Sequence, residues 1–401
     1  LSKRTMTSSS SIPSPFSLFK FQQCLSKSSP GTYPRFAHIS AASSSALLPS
    51  RLIAYKTLDS THARLKSLSR GTQHASSGHG MLVVSQHQSK GIGRISKRQW
   101  ISQWGGLYFS FLSVFGESVR REISSKQQQQ SVNEAIIEEI FLFRMCVAVA
   151  MVECAREALR YALYETKLDN SAQLSPDNLI LKWPNDLYYL NGKEMYKVGG
   201  MLMDNEFVTT QQNQQAETRS QQETMPMKMK MKMKSVQQEE EELPQWMSLG
   251  DDDQQQQTAE KTAKVKCFTG IGINVNQKEW NKHFPEGESL SGLMQKAMSD
   301  DSTLYEFELE RVLAGFFNSL NKWLHVSDKK HLIEQYKKVL GGTGQMVKVM
   351  PQRKENSNVY YMARVEDIST GGNLIVRRTD TGEKVELVSE EVSLRPVSSE
   401  E

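Results

Sequence analysis

The sequence predicts an α+β chain that ends in a small β-barrel. Two observations carry this. Between about residue 52 and residue 340, apolar runs of strand length are interleaved with longer segments of helical period. From Gly344 to Pro396 only short alternating strands remain, punctuated by Gly371, Gly372 and Gly382.

The elements follow in chain order. The first 58 residues hold fifteen Ser, seven Lys or Arg and no acidic residue, the first being Asp59. Such composition predicts a disordered leader over residues 1–51 of the transit-peptide kind, and hence a plastid or mitochondrion. The alternative is an ordinary disordered tail on a cytosolic protein. The sequence opens on Leu1, and Met6 is a candidate initiator. Lys56 to Leu68 reads as a turn and a helix, because Asp59 or Ser60 offers a short side-chain oxygen to the first turn's orphan amides.

Met81 to Ser85 is a short apolar run, read as a buried strand. Gly91 to Arg98 is glycine-containing and basic, hence a loop. Gly106 to Phe115 alternates aromatic and aliphatic residues, a second strand. A long helix is expected over about Asn133 to Lys167, and a strand over Ile180 to Tyr189. Val198 to Met203 and Cys267 to Val275 read as two further strands.

Between those last two lies a biased segment, about Asn205 to Lys264, with Gln runs, a Met-Lys alternation and blocks of Glu and Asp. It holds too little apolar surface to offset its ordering entropy, so a disordered insertion is expected in a short connection. Its Met-Lys-Met tripeptides, centred on Lys228, Lys230 and Lys232, read as a low-complexity repeat; the other reading is a mimic of a modified lysine. Tyr305 to Leu324 and His331 to Leu340 are helical by period. Strands at Met346 to Val349, Tyr360 to Ile368, Leu374 to Arg377 and Lys384 to Leu387 make up the barrel. The organisation is thus a leader (1–51), a main domain (52–340) interrupted at about 205–264, and a small domain (344–396).

Bulk properties exclude several classes. A net charge of +4 is too small to argue for nucleic acid. The four cysteines form no CxxC pair, so neither a disulfide framework nor a structural zinc site is expected. The most apolar stretch, Ile136 to Leu159, is broken by Glu138, Glu139, Arg144, Glu153 and Arg156, so no membrane span is expected. There is no GxxxxGK[ST] phosphate loop and no HExxH pair. Gly91 and Gly93 begin a GxG, but Ser96 stands where a dinucleotide fingerprint needs glycine. Gly287 to Gly292 misses the spacing of a nucleophile elbow.

What remains is four short blocks of polar residues and glycine. They are Asp59-Ser60-Thr61-His62; Gln88-Ser89-Lys90-Gly91-Ile92-Gly93-Arg94 followed by Trp100; Lys182-Trp183-Pro184-Asn185-Asp186 followed by Lys197-Val198-Gly199-Gly200; and Gly270-Ile271-Gly272-Ile273-Asn274-Val275-Asn276.

In this order the blocks resemble the biotin–protein ligase (holocarboxylase synthetase) family, over about Leu52 to Pro396. The resemblance implies a mixed sheet with helices on one face, as in the biotin and lipoate ligases, and an SH3-like C-terminal barrel. It implies activation of biotin by ATP to biotinyl-5'-AMP, then transfer to a lysine of a biotin carboxyl-carrier protein or carboxylase carrier domain. Both reacting partners are anionic, so cations must aim where charge develops. Lys197 and Arg94 are the candidates, and Gly199 and Gly200 let a ligand approach the backbone behind Lys197. By the same resemblance Ser60, Thr61, Gln88, Gly91, Gly93, Arg94, Lys197, Gly199 and Gly200 bind biotin, while Trp100, Asn185, Asp186 and Asn274 serve the adenylate. Mg2+ is expected with ATP, its protein ligands unassigned.

The chain departs from the family in three places. His62 stands for Asn, Ile92 for a basic residue, and the loop before Trp100 is one residue longer than usual. The link from Asp186 to Lys197 is also long and contains a second lysine, Lys193; Lys197 is preferred because Val-Gly-Gly follows it directly. The other functions weighed are a lipoate or octanoyl ligase on the same fold, and a degenerate biotin-binding protein. The stretch before Leu52 is too short and polar for a winged helix, so no repressor function and no nucleic-acid partner is expected.

Overall fold

A computed structural model describes residues 16–17, 20–21, 23–24, 51–70, 79–93, 99–116, 126–168, 174–192, 194–208, 264–278, 284, 286–298, 305–351, 360–388 and 392–396. The fold is α+β: a mixed seven-stranded sheet carrying helices, followed by a small antiparallel sheet.

The large sheet runs β1-β2-β5-β9-β8-β7-β6. Its strands are β1 (Arg51–Tyr55), β2 (Met81–Ser85), β5 (Leu107–Phe115), β6 (Leu179–Lys182), β7 (Asp186–Asn191), β8 (Glu194–Val208) and β9 (Lys264–Ile273). Only β1 and β2 pair in parallel, and helix α1 (Thr61–Arg70) lies between them in sequence. A separate hairpin, β3 (Gln88–Ile92) and β4 (Gln99–Ser102), follows β2.

The core lies on one face of this sheet. Along β5 the odd residues Leu107, Phe109 and Phe111 turn toward α2 (Lys126–Glu165) and α4 (Leu309–Leu324). Phe109 and Phe111 stack at 6.4 Å, and they meet Phe143, Phe316 and Phe317 edge-to-face or tilted at 5.1 to 6.3 Å between centroids. Residues Val147 to Val152 of α2 are all wholly buried, as a helix apolar all round must be. The next residue, Glu153, accepts from Ser319 Oγ at 2.5 Å and Trp323 Nε1 at 2.9 Å.

The opposite face of the sheet carries α1, with Leu65 packed against Val83, Leu112 and Phe268. This face supplies the site. Helices α3 (Leu290–Ala297) and α5 (Lys329–Val339) complete the domain, and α5 is capped by Asp328 Oδ1 on the Lys330 amide.

The second sheet is antiparallel throughout, in the order β13-β12-β11-β10-β14, from β10 (Met346–Pro351), β11 (Tyr361–Ile368), β12 (Leu374–Arg378), β13 (Lys384–Leu387) and β14 (Val392–Pro396). It meets the first domain at the β6–β7 turn, where Trp183 Nε1 donates to the Gly372 carbonyl at 3.0 Å, and where Lys337 of α5 pairs with Asp367 at 2.7 Å.

Several expectations need correction. Residues 1–51 are not uniformly without structure. Phe21 is 2% exposed and stands 6.5 Å from Phe317, the Ser17 amide donates to Glu310, and β1 begins at Arg51. The serine-rich average hid a local apolar cluster, Phe16 with Phe21. The strand expected over Ile180–Tyr189 is a hairpin, β6 and β7, turning at Trp183 to Asn185 with a cis Trp183–Pro184 bond. The loop expected over Gly91–Arg98 is strand at Gly91 and Ile92, and residues 94–98 lie outside the described residues. The insertion is narrower than 205–264: β8 runs to Val208, which pairs with Lys264, the first residue of β9. The Met-Lys-Met repeats lie outside the described residues.

Candidate functional site

Alternation along the central strands builds the site face. On β9 the residues pointing away from the core are Lys266, Phe268, Gly270 and Gly272; on β8 they are Gly200, Leu202 and Asp204, paired opposite as Gly200–Gly272, Leu202–Gly270 and Asp204–Phe268. Three glycines therefore sit side by side, and the sheet is bare there. A Cβ on Gly272 would stand 2.7 Å from Trp100 Nε1, and one on Gly200 would stand 2.8 Å from Asp186 Oδ1. At both positions glycine lets a neighbouring side chain, Trp100 or Asp186, lie close against the sheet.

Polar side chains close one end of this trough. Thr61, at the start of α1, gives its amide to Gln88 Oε1 at 2.7 Å; its hydroxyl lies 3.1 Å from the same oxygen and 2.9 Å from Ser110 Oγ on β5. Gln88 Nε2 then donates to Ser102 Oγ at 2.8 Å, which ties the β3–β4 hairpin to α1. Ser60 Oγ is 3.4 Å from the Ala63 amide, so it faces the helix's own first turn. Gly91 lies in the hairpin itself, on β3 opposite Trp100, and a Cβ there would come within 2.4 Å of the Trp100 carbonyl. Gly93 ends that described stretch, and Arg94 lies outside the described residues.

Lys197 marks the other end. A bulge, with Leu187 opposite Gly199 but Tyr188 opposite Lys197, leaves Val198 as an extra residue and sets the lysine's direction. Its backbone is pinned on both sides: the amide donates to Glu286 O at 2.6 Å, and the carbonyl accepts from Glu288 N at 3.0 Å and Asn274 Nδ2 at 3.1 Å. Its Nζ lies 2.9 Å from Asp186 Oδ1 and 5.1 Å from the centroid of the Trp100 ring. Asn274 is thus a brace for Lys197, steadied by Gln277 Nε2 on its Oδ1 at 3.2 Å. Asn185 is a brace too: its Nδ2 donates to Met201 O, and its carbonyl accepts the Met201 amide. Lys193 lies outside the described residues.

The sequence blocks therefore converge. Thr61 and Gln88 form one end, and Lys197, Asp186, Gly200, Trp100 and Asn274 gather at the other, whereas Gly199 faces Leu187 on the core side of the sheet. Residues 55–215 match the family described as Biotin/lipoate A/B protein ligase family. The chain carries a domain of that family. Helix α1, the β3–β4 hairpin, the β6–β7 turn and all of β8 fall inside the matched span, while the Gly270–Gly272 floor on β9 lies beyond it.

Solved structures similar to the chain include a biotin protein ligase from Aquifex aeolicus in complex with biotin and ATP, at 21% identity and TM-score 0.48, covering 87% of this chain and 100% of that one. They also include the biotin protein ligase from Leishmania major with biotinyl-5-AMP (15%, TM-score 0.42, 85% and 99%). A third is the biotin acetyl coenzyme A carboxylase synthetase from Helicobacter pylori (13%, TM-score 0.36, 84% and 99%). No curated protein sequence matches the chain.

The sequence reading missed Ser102, Ser110 and Asp204. Asp204 Oδ2 receives both His62 Nε2 and Lys66 Nζ at 2.9 Å, which hold its carboxyl far below the usual carboxylate range, the His62 hydrogen bond contributing most. Its signal was the period of two from Gly200 through Leu202. Three of the four cysteines are buried. Burial pushes the Cys146 and Cys267 thiols up to about 12 and raises that of Cys154 as well. Among the described residues no group of three or more His, Cys, Asp and Glu is placed to hold a metal, and no helix is long and apolar enough to cross a membrane.

Proposed function

We propose that the chain condenses biotin with ATP to biotinyl-5'-AMP and passes the biotinyl group to a lysine of a carboxylase carrier domain. The observation that carries this reading is the glycine-floored trough, with a neutral hydrogen-bonding cluster at one end and an ammonium at the other. It fits an uncharged polar head group joined by an apolar chain to a carboxylate.

In this reading the head group meets Thr61, Gln88 and Ser110, and the carboxylate meets Lys197. The Lys197 ammonium draws the carboxylate toward the α-phosphate and stabilises the charge that develops there. Asp186 holds the lysine's Nζ in place at 2.9 Å. The indole packs directly on Gly272, so a ligand reaches that part of the floor only as Trp100 swings away on its hairpin. After reaction the returning ring excludes water from the mixed anhydride. Arg94 is assigned to the same charge-stabilising role on its motif alone. Mg2+ would accompany the nucleotide and offset the phosphates' charge, its protein ligands unassigned. The small antiparallel domain is read as the family's SH3-like barrel, and the acid-free leader as an address to a plastid or mitochondrion.

The test is pyrophosphate exchange into ATP, run with biotin, lipoate and octanoate in turn. Exchange with biotin alone is expected. Exchange driven by lipoate or octanoate would move the chain to that branch of the family, and binding of biotin without exchange would make it a degenerate binder. For the leader, a reporter fused after residue 50 should enter an organelle; a cytosolic reporter overturns that assignment.

A further inference from the structure

We infer that His62 reads the ligand's head group: its Nδ1 accepts a hydrogen bond from an N–H of that group, and Asp204 fixes the ring to keep this atom bare. The inference rests on the biotin reading, because a cyclic urea carries such N–H groups and a dithiolane or alkyl chain carries none.

Geometry carries the argument. His62 is 5% exposed, and its Nε2 is 2.9 Å from Asp204 Oδ2. Lys66, one helical turn further along α1, reaches the same oxygen at 2.9 Å and Glu206 at 3.4 Å. An ionised carboxylate only accepts, so Nε2 must carry the hydrogen, and in the neutral ring Nδ1 is then a lone pair. The edge-on ring of Phe268, 6.4 Å away, walls the other side.

That Nδ1 is buried, and no protein group bonds to it among the described residues. Leaving a buried acceptor unmet is costly, and where it occurs it asks for a partner. The atom borders the space over Gly270: a Cβ built there would lie 3.2 Å from Nδ1 and 3.2 Å from Ser110 Oγ. Gly270 is half-buried, so this space opens outward. A head group lying over it meets the Ser110 and Thr61 hydroxyls and the bare nitrogen together. The departure from the family's Asn is then a change of chemistry. An amide can turn to present a donor or an acceptor, whereas this pinned ring in its neutral form presents an acceptor alone.

The experiment measures binding by calorimetry to the full chain, using biotin and the two biotins methylated on one or the other ureido nitrogen. Wild type is expected to bind biotin and to discriminate strongly against one methyl isomer. His62→Ala should weaken biotin binding roughly tenfold or more, the cost of an unmet buried donor. The discrimination between isomers should vanish with it. His62→Asn, whose amide oxygen can accept, should recover most of both. Under turnover KM for biotin should rise while kcat stays within about threefold. Asp204→Asn frees the ring to choose its tautomer and should lose part of the discrimination. A purely structural histidine would not alter the preference between methyl isomers. Biotin binding by His62→Ala at wild-type strength, or a wild type indifferent to which nitrogen is methylated, overturns the assignment alone. A wild type that binds no biotin overturns the proposed function and this inference together.

Discussion

Replacing Lys197 by Met separates charge from shape. The side chain keeps its length beside the Trp100 ring but loses the ammonium that stands 2.9 Å from Asp186 Oδ1. The structural cost is small. The lysine side chain is 16% exposed and the aspartate 37%, so water screens the pair, and about 1 kcal/mol is a ceiling for it. That corresponds to a fall in Tm of at most about 2–4 °C. The chemical cost is large, because one preorganised charge aimed at a developing anion commonly carries about 10²–10³ in rate. Single-turnover formation of adenylate, measured beside a thermal melt, should show the rate fall by that factor with the melt almost unmoved. Wild-type turnover in Lys197→Met, with loss instead in Lys193→Met, would refute the assignment of the lysine. A rate loss matched by collapse of the melt would refute the claim that charge alone is at stake.

Phe21→Ala should destabilise the fold toward the lower end of the ~3–5 kcal/mol range for buried Phe, read as a lower denaturation midpoint; an unchanged midpoint would mean Phe21 does not pack on α4. Joining Val208 to Lys264 through a short turn in place of residues 209–263 should leave folding and pyrophosphate exchange near wild type, since these two residues already pair; loss of folding would mean the segment packs on the domain. Asp204→Asn should lower Tm at neutral pH. The native carboxyl titrates below its ordinary value, so its stabilisation is complete above about pH 4 and fades as pH falls further, and the gap between variant and wild type should close there in acid melts. A gap independent of pH would remove the charge from that account.

Strong periodicity was legible, and short irregular geometry was not. β5, β9 and α2 announced themselves because long apolar segments leave one solution, burial on both sides. The four blocks announced the site by order and spacing, before anything placed Thr61 beside Gln88. The β6–β7 turn hid because Trp183-Pro184-Asn185 carries no glycine between two apolar runs. Helix α3 hid because two turns containing Gly292 give too little period to read. The role of Asp204 was masked by its neighbours, since an acidic residue beside a polar insertion reads as part of it. His62 was visible as a substitution, but its meaning needed the partner 142 residues away.

The Val208–Lys264 pair has a consequence beyond the site. Neighbouring strands lie about 4.8 Å apart, so whatever joins these two residues must begin and end at nearly the same point. The β8–β9 tip is therefore a socket. It accepts any passenger whose two termini are adjacent, and the sheet's register holds whatever that passenger weighs. A folded reporter with neighbouring ends could be carried there without disturbing the trough, which lies at the far end of the same two strands.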